Sequence, residues 1–457
     1  MVRVSSRIDD WPYTPYHRRL LVIGGLGYTF DAMDAAIMAF LLPVLRVQWD
    51  LSNVQTGVLA SATYMGFFIG ALVAGALGDA IGRRRVMMVA LAVYAIASLY
   101  GATTMAWPEF LGSRIVAGVG TGAESAIIAP YLAEFVGKRY RGTFIGALTG
   151  FFSFGFVAAA LLGYIVVPAF ADGWRLAVVI TALPVVMLLW WRRVLDESPR
   201  WLESRGRIDE AKAILKKIEA TFPEDARMAM ADDVPLPAPG VDDEPSPPSW
   251  VANFQALWRG RQRRVTLMTW AMWLSLTFGY YLFFTWMPGL LVQRGMSLTQ
   301  SFGYALVMYL AQIPGYFSAA LLNEKIGRRA TIVLYMAMAI LCALALALAP
   351  DNTLMLLSGV GLSFSINGAY AGVYAYTAEL FPTAIRATGV GTASAMGRLG
   401  AIASPIAVGY LFPVVGFAGV FALTTVVLAV GAGVVMLFGP RTQGLTLDAI
   451  VTEELNG

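Results

Sequence analysis

The chain has 457 residues, 58% of them hydrophobic and only 14% charged, with 33 Lys and Arg against 29 Asp and Glu and a formal net charge of +4. Apolar runs of about 20 residues, the length that crosses a bilayer, recur from end to end, so the chain reads as an all-α polytopic membrane protein and not as a soluble domain. Its one histidine and one cysteine leave no histidine or thiol metal cluster and no intramolecular disulfide.

The first 19 residues hold Asp9, Asp10, Trp11, two prolines and Arg18-Arg19. That does not resemble a cleavable signal, so the segment is expected to stay as an N-terminal extension. Six spans follow near residues 20–42, 56–79, 86–104, 109–136, 142–167 and 174–193. Residues 194–263 break the apolar pattern and read as a linker. Within it Ile208, Ala211, Ile214, Leu215 and Ile218 fall on one helical stripe, and the acidic, proline-rich stretch from Pro223 to Ser249 is expected to be disordered. Six more spans are read near 264–290, 299–324, 330–349, 352–377, 387–412 and 416–438, and 440–457 is a tail. The expected domains are therefore bundles at 20–193 and 264–439. Several spans carry glycines suited to close helix approach, notably Gly66, Gly70 and Gly75 in the second and Gly118, Gly120 and Gly122 in the fourth. Cys342, in an Ala/Leu-rich span, reads as a small packing residue.

Twelve spans put both termini on one side. The loops of the other side carry only Arg46, Arg175 and Arg294, Arg114 and Arg398 lie inside spans, and the remaining Lys and Arg sit on the side of the termini. By the positive-inside rule that side is cytoplasmic. The basic balance is thus a topology signal, and no nucleic-acid partner is expected.

The two halves repeat each other. Gly75-Ala-Leu-Gly-Asp79-Ala-Ile-Gly82-Arg-Arg-Arg85 returns as Ala320-Leu-Leu-Asn-Glu324-Lys-Ile-Gly327-Arg-Arg329, and the same shift carries Tyr131, Glu134, Arg141 and Thr143 onto Tyr376, Glu379, Arg386 and Thr388. Parallel repeats of this size mark a transporter built by duplication. Asp79, Arg83, Glu134 and Arg141, with their copies Glu324, Arg328, Glu379 and Arg386, lie at the basic ends of the spans and read as gate or latch residues.

An ionisable group inside a span costs about 2.5–3.5 kcal/mol on insertion scales and is a functional hypothesis by default. Asp31 and Asp34 share one face of the first span, Arg114 lies in the outer half of the fourth and Glu124 near its middle. The depths of Asp31 and Arg114 overlap, which places them to pair. A carboxylate that gains proton affinity when its arginine withdraws is a coupling switch; the alternative is a permanent ion pair between the first and fourth spans. His17 lies outside the first span, so carboxylates must carry any proton, ranked Asp31, Asp34, Glu124. Trp273, Thr277, Tyr280, Tyr281 and Phe284 form a stripe on the seventh span, and Asn367, Tyr370, Tyr374 and Thr377 one on the tenth. Interleaved hydroxyls and an amide find no partner in lipid, so a polar cavity is expected. Arg398 on the eleventh span would bring a positive charge to it. An aromatic cage with one arginine suits a flat ring bearing a carboxylate.

These motifs resemble the major facilitator superfamily, in particular its sugar-porter-like branch, over nearly the whole chain. Asp196-Glu-Ser-Pro-Arg200 is similar to the signature after span six and Gly439-Pro-Arg-Thr-Gln-Gly444 to a degraded signature after span twelve. The resemblance implies twelve transmembrane helices in two six-helix bundles related by pseudo-two-fold symmetry, and places Asp31 and Arg114 where proton-coupled sugar porters carry their aspartate and its partner. The seventh span lacks the Gln-Leu-Ser motif used for hexoses. The opening segment and Asp31-Ala-Met-Asp34 resemble nicotinate transporters of the NiaP type and, in the spaced aspartates, aromatic-acid symporters. The resemblance implies import of nicotinate with protons by alternating access. Helical facing alone assigns Arg398 to the carboxylate, Asn367 and Tyr370 to ring or carboxylate hydrogen bonds, and Trp273 and Tyr280 to stacking. Tyr374 completes the cage.

A benzoate or hydroxybenzoate symporter is the nearest alternative, and an organic-cation carrier using Asp31, Asp34 or Glu124 as counter-ions is another. A receptor that keeps the fold without moving substrate is disfavoured by the intact repeated loops. An enzyme is not expected, since no histidine lies in the membrane to activate a serine. No cofactor or metal is expected. The expected protein is a monomer in the cell (inner) membrane whose partners are a small anionic substrate, protons and lipid.

Overall fold

The computed structural model describes residues 4–224, 250–382 and 385–442, and over them the chain is almost entirely helical. The acidic, proline-rich linker stretch and most of the tail fall outside the described residues. A short α1, Val4–Asp9, leads into α2, Pro15–Gln48, followed by α3, Asn53–Ile81, α4, Arg83–Thr103, α5, Trp107–Ala133, and α6, Arg141–Ile165. The sixth apolar run is two pieces, α7, Gly173–Thr181, and α8, Val185–Val194, interrupted next to Pro184. Polar connections supply α9, Pro199–Ser204, α10, Ile208–Glu219, and α11, Trp250–Ala256. The second half contains α12, Gln262–Gln293, then α13, Leu298–Leu310, and α14, Gln312–Ile326, then α15, Arg328–Ala347, α16, Asn352–Leu380, and α17, Arg386–Phe438.

Ten stretches among the described residues are long and apolar enough to cross a membrane. One of them, α17, has 53 residues and a non-helical Gly416 at φ 62°, so it holds two spans joined at a glycine. The 34-residue α2, at about 1.5 Å per residue, also exceeds the roughly 30 Å of a hydrocarbon core. Helices α2, α3 and α12 run a few residues past the predicted spans at both ends, whereas α4, α5, α6 and α15 stop one to three residues short of the predicted C-terminal bound.

The chain folds as two compact units. One comprises Met1–Ile37, Ala62–Ala159 and Phe170–Asp243, the other Met38–Ser61, Ala160–Ala169 and Glu244–Gly457. In the first, α3 and α5 touch backbone to backbone. A Cβ on Gly66 would strike the Ile115 carbonyl, and one on Gly118 the Thr63 carbonyl. Lipid offers no hydrophobic drive for helix association, so this seam rests on close contact between small residues. Gly75, also singled out in the sequence, has open space around it. Gly118→Val should therefore force α3 and α5 apart and lower the yield of folded, monodisperse protein sharply, whereas Gly75→Ala should leave the elution profile on size exclusion unchanged.

The same unit anchors the N-terminal segment. Asp9 accepts from Arg141 at 2.7 Å and Arg200 at 2.6 Å, Arg7 donates to Glu219, and Trp11 Nε1 donates to the same carboxylate at 3.1 Å. His17 is fully buried among Trp11, Tyr16 and Phe222, and burial pushes its pKa down to about 4, so it is neutral at physiological pH. Ala211, Leu215 and Ile218 of α10 are buried in the same hydrophobic cluster.

Candidate transport site

Arg114 is completely buried, and its partner is Asp34. The helix depths read from the sequence pair it with Asp31 instead. Arg114 Nη1 lies 3.0 Å from Asp34 Oδ1, and both side chains are fully shielded. Asp34 Oδ1 also accepts from Thr181 Oγ1 at 3.0 Å and Ser98 Oγ at 3.4 Å, and Arg114 Nη2 donates to Ser98 at 3.0 Å. Four helices, α2, α4, α5 and α7, thus meet on one ion pair. The depth estimate did not separate the two aspartates because one helical turn lies between them. Which one meets Arg114 is set by the rotation of α2 in the bundle, and that is a product of tertiary packing.

Asp31 is left in a different environment. Among the described residues, both of its carboxylate oxygens are buried without a hydrogen-bond partner, and so are both oxygens of Glu124. The two acids are electrostatic neighbours, and Glu124 Oε1 lies 2.8 Å from the point where Gly27, one turn before Asp31, would carry a Cβ. The missing side chain at Gly27 is what admits the Glu124 carboxyl against α2.

The second unit gathers the aromatic residues. Trp273 and Tyr280 of α12 meet Tyr370 and Tyr374 of α16 edge to face, with centroids 5.0 Å apart for Trp273 and Tyr374 and 5.3 Å for Tyr280 and Tyr370. Their polar edges are paired across the helices, Trp273 Nε1 to Thr377 at 2.8 Å and Tyr370 OH to Thr277 at 2.9 Å. Asn367 Nδ2 turns back to the Ser363 carbonyl at 2.9 Å. Gly397 of α17 is pressed against Trp273 and Thr277, and the next residue, half-buried Arg398, lies within electrostatic reach of Tyr281 and Tyr374.

Gln312 was not singled out in the sequence. It sits at the break between α13 and α14, is 1% exposed, accepts from Tyr280 OH at 3.3 Å, and has a buried amide nitrogen with no partner. A lone amide two residues before Pro314, in mid-span, was the available signal.

The basic ends repeat in detail. Arg83 contacts Asp79 at 2.8 Å and Glu134 at 3.2 Å, and Arg328 contacts Glu324 at 3.2 Å and Glu379 at 3.0 Å. Gly82 and Gly327 both take positive φ, 102° and 86°, at the turn into the next helix. Arg141 and Arg386 diverge: the first bonds Asp9, the second donates to the Phe381 carbonyl at 3.2 Å.

Buried charges and cross-helix polar pairs inside duplicated apolar spans are the construction of a membrane transporter rather than of an enzyme. The chain belongs to the sugar (and other) transporter family, which matches residues 21–453, and its fold is that of the major facilitator superfamily. It is 37% identical to the niacin transporter NiaP of Acinetobacter baylyi over 97% of this chain and 99% of that one. It is 34% identical to the putative niacin/nicotinamide transporter NiaP of Bacillus subtilis over 94% of this chain and 98% of the relative. Its fold matches the partially occluded inward-open xylose transporter XylE of E. coli at a TM-score of 0.76 with 20% identity, over 95% of this chain and 100% of the other.

Proposed function

We propose that the chain imports nicotinate, a small aromatic monocarboxylate, together with protons, by alternating access between the halves 20–193 and 264–439. The observation that carries this reading is its whole-length likeness, at 37% identity, to a niacin transporter. The geometry supports it. Trp273, Tyr280, Tyr370 and Tyr374 offer ring edges and faces to a flat substrate, Arg398 supplies the charge for its carboxylate, and Asn367 adds a hydrogen-bonding amide.

Proton coupling falls to Asp31, with Glu124 as its neighbour. Two neighbouring buried carboxyls without a cation are costly to hold as a pair of anions, so one of them carries a proton in this state and gives it up when the site opens to water. Asp34 and Arg114 position this helix face. The triads around Arg83 and Arg328, with Arg141 and Arg386, act as latches at the cytoplasmic side, where both termini lie. The protein works as a monomer in the inner membrane.

Uptake of radiolabelled nicotinate into proteoliposomes tests the reading, with and without an inward proton gradient and with benzoate or a hexose as competitor. Gradient-driven accumulation that benzoate inhibits weakly and hexose not at all is expected, and absence of nicotinate uptake would sink the proposal. Gln312 contributes the discrimination, because its unpartnered amide nitrogen is a donor for the ring nitrogen that benzoate lacks. Gln312→Leu should raise the nicotinate KM by about tenfold, the value of one lost buried hydrogen bond, while the benzoate inhibition constant stays within about twofold.

A further inference from the structure

The two halves also differ where the segment after each sixth span meets the duplicated Gly-Arg-Arg turn. In the first half Tyr131 OH donates to the Asp196 carbonyl and Arg84 Nη2 to the Arg192 carbonyl at 2.7 Å. In the second half Tyr376 OH donates to the Pro440 carbonyl at 2.7 Å and Arg329 Nη2 to the Met436 carbonyl at 2.5 Å. The segment after the last span therefore lies on α15 as the Asp196 segment lies on α4, and Arg441 and Thr442 occupy the places of Glu197 and Ser198.

Glu197 has a defined task. Its carboxylate accepts from the Arg84 amide at 3.1 Å and the Ser198 amide at 3.0 Å, and crowds Gly82, where a Cβ would collide with it. It is the anion on the N-terminus of α4, whose first turn contributes only arginines. At the N-terminus of α15 the first turn is again without an acid, but the corresponding side chain is Arg441, a charge of the wrong sign for a helix N-terminus. Arg441 makes no ion pair among the described residues. Arg328 is held by Glu324 and Glu379, while Arg329 and Arg441 have no acidic partner among the described residues. A cavity of about 500 Å³ opens there, lined by Gly327, Arg329, Val333, Met436, Arg441 and Thr442. Thr442 is 6% exposed, and its hydroxyl has no hydrogen-bond partner among the described residues.

We propose that this cavity binds the phosphate of an anionic phospholipid, which takes the place that the Glu197 carboxylate holds in the other half. A phosphate satisfies the helix N-terminus, two guanidinium groups and the Thr442 hydroxyl together. A lipid rather than a free anion fits the volume, which exceeds that of one phosphate, and fits the rim, where Ile326, Met436, Leu437 and Phe438 are 41–71% exposed and offer apolar surface to acyl chains.

The test is thermal unfolding of the purified full-length protein in detergent with phosphatidylglycerol, phosphatidylcholine or inorganic phosphate added. Phosphatidylglycerol should raise the midpoint by about 3 °C or more and the other two should not. Arg441→Glu, which rebuilds the carboxylate of the first half, should raise the basal midpoint and abolish the response to phosphatidylglycerol. If that variant does not fold, Arg441→Gln should bind phosphatidylglycerol about tenfold more weakly by native mass spectrometry. Equal stabilisation by both phospholipids, or an undiminished phosphatidylglycerol response in the Arg441 variants, would overturn the site. A full shift with inorganic phosphate alone would overturn the lipid and assign a soluble anion.

Discussion

Replacing Arg114 by leucine should cost about 3–5 kcal/mol of stability, because it leaves Asp34 charged and buried without its cation. Asp34 keeps only the hydroxyls of Thr181 and Ser98, and two neutral donors do not offset the loss of a guanidinium in a shielded site. The readout is the unfolding midpoint and the monodisperse yield in detergent. The double variant Arg114→Leu with Asp34→Leu removes both charges and should recover most of the loss, since an apolar pair of similar volume is a tolerated replacement. If the single variant is as stable as the parent, the ion pair is not what joins these helices. If the double variant folds and still transports, the pair is structural and takes no part in coupling.

Asp31→Asn should show the opposite profile, an intact fold with lost work. Neither oxygen of Asp31 has a partner to lose, so the neutral isostere should leave the midpoint within about 0.5 kcal/mol of the parent or raise it. Accumulation of nicotinate against a gradient should fall to the equilibration level, while exchange of internal for external substrate continues. Proton-driven accumulation that survives in Asp31→Asn would move the coupling to Glu124, for which Glu124→Gln is the matching measurement.

Most of the fold is legible in the residues. The repeated Gly-Arg-Arg turns, the spacing of apolar runs and the placement of the basic residues lead to the duplicated helical membrane protein, and the span from 86 to 104 differs from Arg83–Thr103 by no more than three residues at either end. The breaks at Ala311 and next to Pro184 are less visible, since an apolar stretch looks the same whether its backbone is continuous or not. In the candidate site, the ionisable residues are found from their cost alone, and the stripes of α12 and α16 from periodicity. Partner choice is not found that way. Asp31 and Asp34 share a face and nearly a depth, and only the packing of α2 against α5, α4 and α7 gives the arginine to the second. Gln312 escapes for a related reason: its amide matters because Tyr280, far away in sequence, fixes one end of it and leaves the other without a partner.

The anchoring of the N-terminal segment sets an order of events during synthesis. Arg7 meets Glu219 across 212 residues, and Asp9 meets Arg200 across 191. At about 5–20 residues per second, roughly 10–40 s separate the emergence of Asp9 from that of Arg200. Throughout that interval the first helices enter the membrane with Asp9 lacking Arg200 and Trp11 lacking Glu219. Closure of this segment over Arg141 and Arg200 is therefore a late step in assembling the first half, and a stalled ribosome halted before Arg200 would carry an N-terminus still open to protease.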